Sequence, residues 1–542
     1  MTSLRATFLY LLLVTSLWSK PEHIIFTYMG DPSTTLTVNW QYIEPSSMIV
    51  SSGEKASVLF DTVSRGGDVD SYTYSAKANN FQIDGLSDRL ILRAQLTGLK
   101  PATAYYIVVG DEERGFSKEL KVRTIQEDDS PLRFVTGGDM GTSEDTRILL
   151  RNSATFDPDF AVIGGDIAYA NGDLLSVNKW DTWLTYYTEE MVSSDGFSIP
   201  LVMAIGNHEV DGAYNKTAAD APFFFGFFGQ DPAKSYFARR FGRDLLLLVL
   251  DSGHVATHQS QADWINATLT EHSSVTYRSA VYHVPLYPSH RDFMGYYSDQ
   301  GREYWAPVFD DHKLTVAFEN HDHTFKRSYL LHNGQISENG MGTLYLGDGC
   351  WGRDARTIDF VERSYLAKTG SIQHFWVVDV APEEMIYRAV DIDNRVFDVY
   401  PRDKPGVKAA DEVFASINQF YKIPDGLIDI LDIRHAVEPW QSGSSSIIIQ
   451  NPFEHDISLS FSPRISRGNL SLEGLPIEPI QIGPGAQKVI AIELFSKKED
   501  GIKLEDFRAM ISVDLDLLDP DFPQPLKFAG RYGIVIEEND AE

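Results

Sequence analysis

Apolar and polar residues alternate with a period of two in Thr35-Leu-Thr-Val-Asn-Trp40, and Tyr105-Tyr-Ile-Val-Val109 is a second β-rich run, so the chain from Pro21 to about Thr124 reads as all β. An acidic, proline-containing junction, Gln126-Glu-Asp-Asp-Ser-Pro131, ends that pattern. From 131 to about 401 short apolar strands take over, among them Phe134-Val-Thr136, Ala161-Val-Ile163, Leu201-Val-Met-Ala-Ile205, Leu245-Leu-Leu-Leu-Val-Leu250 and Leu314-Thr-Val-Ala-Phe318. Helical patterns separate them, which predicts an α/β domain. After a connection punctuated by Pro and Gly, β patterning returns in Ile447-Ile-Ile449, Ile457-Ser-Leu-Ser-Phe461, Val489-Ile-Ala-Ile492 and Ile534-Val-Ile536. The expected architecture is multidomain: an N-terminal β-sandwich over 21–127, a central α/β domain over 131–401, a linker over 402–443 and a C-terminal β-sandwich over 444–542.

Leu99-Lys-Pro-Ala-Thr-Ala-Tyr105 resembles the tyrosine corner of fibronectin type III sandwiches, in which the phenol closes back on the upstream backbone. The first domain is therefore expected to pack rather than to react. A chain of 542 residues exceeds what one core supports, and 43% apolar with 23% charged residues is ordinary globular composition. Residues 1–19 carry one basic group, Arg5, an apolar run from Ala6 to Val14 and small residues at Ser16 and Ser19, the pattern of a signal peptide. The run is too short to span a bilayer and no second one exists, so export without a membrane anchor is expected, to the outside or to a vacuolar or lysosomal compartment. The sequons Asn215-Lys-Thr, Asn266-Ala-Thr and Asn469-Leu-Ser agree with that route. The single cysteine, Cys350, excludes a disulfide within the chain and reads as a buried thiol, with a bridge to a second subunit of a homodimer as the alternative. A net charge of −30 argues against nucleic acid as a partner, because phosphate backbones are held by clustered Lys and Arg.

The candidate chemistry follows the buried strands of the central region. In order come Gly138-Asp139-Met-Gly141, Gly165-Asp166-Ile-Ala-Tyr169, Gly206-Asn207-His208-Glu209, His283-Val-Pro-Leu-Tyr287 and Asn320-His321-Asp-His323. Open α/β sheets place their sites at such strand ends, and glycine lets the backbone turn so that the next side chain points off the edge. A lone Gly-Asp is ordinarily a turn or a helix cap, and a lone His a satisfied core residue. Five such pieces in one domain, each at a strand end, are not independent accidents. Carboxylate, amide, phenolate and imidazole form a mixed oxygen and nitrogen set suited to Fe, Mn or Zn.

This ordered set resembles the metallophosphoesterase signature, and Tyr169 within Gly-Asp-x-x-Tyr resembles the purple acid phosphatase branch, whose larger plant-like forms also carry a preceding fibronectin-like sandwich. The resemblance covers nearly the whole mature chain. It implies a central metallophosphoesterase sandwich and an acid phosphatase that hydrolyses phosphate monoesters, with a small phosphorylated molecule as partner. Attack would be by metal-bound hydroxide at an Fe(III)–M(II) pair, M being Zn, Mn or Fe. Residue by residue, it implies that Asp139, Tyr169 and His323 hold the ferric ion, that Asn207, His283 and His321 hold the divalent ion, and that Asp166 bridges them. His208 is implied as the donor to the substrate phosphate. His290, in Pro288-Ser-His-Arg-Asp292, is implied in phosphate binding or leaving-group protonation, with Arg291 as the alternative.

Two positions depart from the family pattern: Asn320 stands where it has Gly, and Ala280 where it has Val. A ferric ion generates hydroxide without waiting for a histidine base, which predicts an acidic optimum. The run Phe223-Phe-Phe-Gly-Phe-Phe228 reads as packing before pocket lining, Gly347-Asp-Gly-Cys-Trp-Gly352 as a tight turn near the same rim, and His254, His258 and His312 as structural or exposed. A roomier pocket would suit a phosphodiesterase or nucleotide pyrophosphatase. The reading from another class is a noncatalytic surface or adhesion protein built around a relict phosphatase domain.

Overall fold

The computed structural model describes residues 20–43, 55–231, 234–337, 340–360, 363–431, 433–435, 442–465, 470–496, 509–521, 524–534 and 536–538. The expected signal peptide (1–19), Asn469 of the third sequon and Val535 of the last expected strand lie outside the described residues.

The N-terminal domain is a β-sandwich. Strands Glu22–Thr27, Leu36–Ile43, Asn79–Phe81 and Arg89–Leu96 form one sheet, and five strands between Ser57 and Arg123 form the other. Leu36, Val38, Trp40 and Tyr42, alternate residues of one strand, face Val58, Ile107 and Val109 in the core. The tyrosine corner forms: Tyr105 Oη accepts a 2.8 Å hydrogen bond from the Lys100 amide.

The central domain consists of two facing sheets. The first runs Leu201–Met203, Phe160–Ile163, Leu132–Gly137, then His374–Ala381, Glu384–Asp391 and Val396–Tyr400; its first three strands are parallel. The second runs Phe237–Phe241, Leu245–Val249, Tyr277–Val281, Val316–Phe318, Leu344–Gly347, Phe325–Ser328 and Leu366–Gly370. Phe134, Phe160 and Val162 meet Val281, Val316 and Phe318 between the sheets, with Phe134 edge-on to Phe318 at 5.8 Å. Helices Glu144–Ala154 and Val177–Glu190 cover the outer face of the first sheet, and His258–Glu271 with Ala306–Asp311 that of the second. The phenylalanine run is part of this cover: Phe228 packs 5.4 Å from Trp180, and Phe223 6.0 Å from it.

The stretch 402–443, expected as a linker, holds regular structure. Helix Val407–Ser416 packs beside strand Val396–Tyr400. Phe420–Lys422 pairs in parallel with Leu526–Ile534, and Ile428–Ile430 pairs antiparallel with Ser442–Gln450. The C-terminal sandwich therefore begins at Phe420 rather than at 444. Strands of three residues are too short to display a period, which is why the sequence conceals them. Ile447, Ile449, Ile457, Leu459, Ile492, Val513 and Leu515 fill the core of this sandwich.

Candidate metal centre

Asp139 follows strand Leu132–Gly137, Asp166 and Tyr169 follow Phe160–Ile163, and Asn207 follows Leu201–Met203, all in the first sheet. His283 follows Tyr277–Val281, and His321 and His323 follow Val316–Phe318, in the second. The seven side chains thus meet at the shared end of two sheets.

The backbone at this end is unusual. Asp139 (φ 54°), Asp166 (54°), Tyr169 (58°), His321 (76°) and His323 (53°) are all left-handed. Such residues cost on the order of 1–3 kcal/mol each and persist only where their surroundings over-determine them. Those surroundings are visible. The amides of Asp139, Met140 and Gly141 donate to the carbonyls of Gly165, Asp166 and Ile167 at 3.0, 2.9 and 2.7 Å. Buried Glu209 accepts from the amides of Asp166, Gly206 and Ile167 at 2.7, 2.8 and 2.8 Å. It joins two ligand loops through one carboxylate.

The donor atoms form two groups. Asp139 Oδ1 lies 2.9 Å from His323 Nε2 and 3.3 Å from Tyr169 Oη, and the latter two are 3.1 Å apart. His283 Nε2 lies 3.1 Å from Asn207 Oδ1, 3.0 Å from His321 Nδ1 and 3.1 Å from Asp166 Oδ2. Donors at about 2.1 Å from one cation and at right angles to each other are about 3.0 Å apart, so these side chains stand at the spacing a small cation imposes. The residues fit a metal pair.

Electrostatics point the same way. Burial opposes charge on His283, yet the fields of Asp166 and Asp139 carry its pKa up to about 9. Burial likewise pushes Asp166 up, but His283 and His208 outweigh it and hold the carboxyl below its ordinary range. Tyr169 is raised by burial, with Asp139 and Asp166 adding to it. The carboxylates make a negative field in which a cation is stabilised.

Asn320 leaves the entry to His321 intact. Its own backbone is not left-handed, and its side chain is buried with Nδ2 donating to the Tyr282 carbonyl at 2.9 Å. A Cβ on Gly164 would stand 1.8 Å from that Nδ2, so glycine at 164 makes room for the asparagine.

His208 flanks the ligands. Its ring lies 4.1 Å from the Tyr169 ring, its Nδ1 donates to Asn171 Oδ1 at 2.5 Å, and its Nε2 is 3.8 Å from Asp166 Oδ2. Asn171, which orients this imidazole, carries no mark in the sequence. His290 stands apart: its Nδ1 donates to the Thr357 carbonyl at 2.7 Å, and burial pushes its pKa down to about 4. Among the described residues no hydrogen bond or ring contact joins it to the seven ligand candidates. The next residue, Arg291, reaches the His321 carbonyl at 3.4 Å.

The turn Gly347–Gly352 is pressed against the centre, because a Cβ on Gly349 would meet Asp139 Oδ2 at 1.9 Å. Cys350 within it is a buried free thiol. The turn delivers two further basic residues, Arg353, whose guanidinium lies 4.5 Å from the Tyr169 ring centroid, and Arg356, whose amide donates to the His323 carbonyl at 2.8 Å.

Beneath the ligands lies a buried ionic network. Lys326 Nζ contacts Glu319, Asp348 at 3.0 Å and the Tyr287 carbonyl at 2.6 Å. Asp322 accepts from the amides of Ser289, His290 and Arg291 at 2.8, 2.7 and 3.1 Å, tying the His283 loop to the His321–His323 loop. His254 is buried with its ring 5.8 Å from that of His283, and His258 packs 4.3 Å from Trp305. His312 pairs with exposed Asn266 at 2.7 Å.

The model of the purple acid phosphatase N-terminal domain matches residues 21–124, and that of the calcineurin-like phosphoesterases matches residues 132–325. Purple acid phosphatase 15 of Arabidopsis thaliana is 26% identical over 50% of this chain and 56% of its own length. Purple acid phosphatase 13 of the same plant is 24% identical over 48% and 54%, so the chain spans about half the length of these curated relatives. Among solved structures, purple acid phosphatase PPD1 from yellow lupin seeds superposes with a TM-score of 0.59 at 16% identity, covering 70% of this chain and 74% of that one. PhoD superposes with a TM-score of 0.53 at 11% identity, covering 71% and 90%. At those identities the superpositions speak for a shared fold. Together with the two matched domains, they make this chain similar to the purple acid phosphatases in its N-terminal and phosphoesterase domains.

Proposed function

We propose that this protein is an exported acid phosphatase that hydrolyses phosphate monoesters at a pair of metal ions, one ferric and one divalent. The observation that carries the reading is the pair of donor groups, Asp139, Tyr169 and His323 on one side and Asn207, His283 and His321 on the other, with Asp166 beside the second at 3.1 Å. When bound there, the metal pair would supply an acid-stable nucleophile and neutralise the phosphoryl oxygens. The chain contributes position and charge. Asp166 would hold the two ions in register, since one of its oxygens faces His283 while the other is fixed by the His208 amide at 2.7 Å. Asn171 holds His208 Nδ1, leaving Nε2 as the atom free to meet a phosphoryl oxygen. His290, tied to Thr357, is a weaker candidate for leaving-group protonation than Arg291 is for anion binding. Export rests on the apolar run Ala6–Val14 and on exposed Asn215 and Asn266.

Metal analysis with a visible spectrum of the purified protein tests this. Two ions per chain and a purple phenolate-to-iron band are expected, and Tyr169→Phe should abolish the band. Colourless protein that hydrolyses phenyl phosphate with zinc or manganese alone would remove the ferric assignment. A rate on bis-phenyl phosphate exceeding that on phenyl phosphate would replace the monoester reading with a diesterase.

A further inference from the structure

The loop 288–291 is gripped on two sides. On one side, buried Asp322 accepts from the amides of Ser289, His290 and Arg291. On the other, Arg363 donates to the carbonyls of Pro288 and Arg291 at 2.6 and 2.8 Å and to that of His290 at 3.3 Å. Lys422 Nζ, from the first strand of the C-terminal sandwich, donates to the His290 carbonyl as well. Asp359 couples the two cations, accepting from Arg363 at 2.6 Å and pairing with Lys422 at 2.9 Å. Backbone bonds hold Lys422 in place: its amide donates to the Ile358 carbonyl at 2.8 Å, and the Ile358 amide to the Phe420 carbonyl at 2.9 Å.

The peptide groups 288–289 and 290–291 therefore each stand between a cation on the carbonyl side and the Asp322 carboxylate on the amide side. A peptide dipole of about 3.5 D is stabilised in that orientation, and charge-assisted bonds in series strengthen one another. Asp322 lies between His321 and His323, left-handed ligand candidates (φ 76° and 53°) whose backbone persists only where it is over-determined. Slack in the loop would free the carboxylate that sits between them. A lone ion pair in water is worth little, but Lys422, Asp359 and Arg363 are only 34%, 29% and 16% exposed and act as a set. A chain of contacts thus runs from a strand of the C-terminal sandwich to the metal centre.

We propose that Lys422 of the C-terminal sandwich is a positioning residue for the catalytic site: with Arg363 it holds the loop 288–291, which fixes Asp322 and through it the His321–His323 pair. The sandwich then serves the centre at a distance, without contributing a ligand. Only the rate measurement below rests on the phosphatase reading.

The test compares the full-length protein with Lys422→Met, Lys422→Arg and Phe360→Ala. Loss of one charged hydrogen bond predicts that Lys422→Met, metal-loaded, lowers kcat/KM for phenyl phosphate by about tenfold and releases its metal to a chelator several-fold faster, with most of both recovered in Lys422→Arg. Hydrogen exchange on the metal-free protein forms a second arm, in which the amides of residues 320–323 should exchange faster in Lys422→Met. Phe360→Ala loosens the same interface through its contacts with Tyr421 and Phe528 but touches no carbonyl of the loop, and it should match the wild type in both arms. Unchanged exchange over 320–323 in Lys422→Met overturns the positioning role, and so does an equal effect of Phe360→Ala, which would make Lys422 a docking contact. Metal-loaded wild-type protein that leaves phenyl phosphate intact would sink the phosphatase reading, while chelation and exchange still decide the role of Lys422.

Discussion

The N-terminal sandwich and the inter-sheet core of the catalytic domain form one continuous apolar cluster, running from Trp40 and Tyr42 through Val202 and Phe241 to Trp376. Around it Arg89, 1% exposed, pairs with Asp181 at 2.5 Å, and Arg93 and Arg239 donate across the boundary to the carbonyls of Gly226 and Tyr28 at 2.8 and 3.0 Å. The C-terminal sandwich keeps a core of its own, all within residues 423–534. It meets the catalytic domain on the short turn around Ile358–Phe360, where Phe360 lies 5.4 Å from Tyr421 and Lys422 pairs with Asp359 at 2.9 Å. Two modules of the same architecture can therefore stand in opposite relations to a catalytic domain. One completes its fold, and the other is attached to it.

The largest test of that contrast is removal. Deleting residues 20–124 strips the shared core and exposes an apolar face well beyond the few hundred Å² a soluble surface tolerates, so insoluble protein is expected. Deleting residues 420–542 should leave a soluble chain with a cooperative melt and two bound metals. Soluble, metal-binding protein from the first deletion would break the comparison.

Acid should separate the modules next. Burial depresses the pKa of His258 to about 3 and that of His374 to about 4, both in the catalytic domain. Among the described residues no histidine of the C-terminal sandwich is buried. Between pH 6.5 and about 4 the unfolded chain binds protons that these folded imidazoles refuse, so stability falls with falling pH, by up to about 1.4 kcal/mol per unit for each group. Calorimetric scans should show the transition of the joined N-terminal and catalytic unit moving down in acid relative to that of the C-terminal sandwich. His258→Leu/His374→Leu should flatten that slope, and a slope unaltered by the double substitution would count against it.

The smallest effect comes from the boundary itself. Arg89→Met leaves Asp181 with only His23 at 3.9 Å beside it, and because that carboxylate is 29% exposed the expected loss is about 2 kcal/mol, below the 3–5 kcal/mol of a fully buried pair. Denaturant titration should place the loss in the unit that contains Arg89 and leave the C-terminal transition in place.

Much of the site was legible in the sequence because each ligand candidate follows an apolar strand, and strand ends are fixed by patterning that a single chain displays. The tyrosine corner was legible for the same local reason. Asn171 was not, since its contact with His208 spans two loops and nothing in its neighbours marks it. Arg353 and Arg356 were hidden because a basic residue after a glycine turn looks the same whether it faces water or a ligand. The glycines of Gly347–Gly352 mark a turn in the sequence, but its role as the floor under Asp139 depends on the Gly349 contact, which arises between distant segments. The start of the C-terminal sandwich was missed because Phe420–Lys422 becomes a strand only by pairing with residues more than a hundred positions later.

The left-handed backbones of Asp139, Asp166, Tyr169, His321 and His323 bear on how such a centre can change over generations. The cost of such a turn depends on the side chain, being small for Asp or Asn and large for β-branched residues, while the Cβ direction is set by the position. Asp and Asn are the donors such positions accept at least cost, so an Asp→Asn exchange at 139 or 166 changes charge with little change of backbone strain.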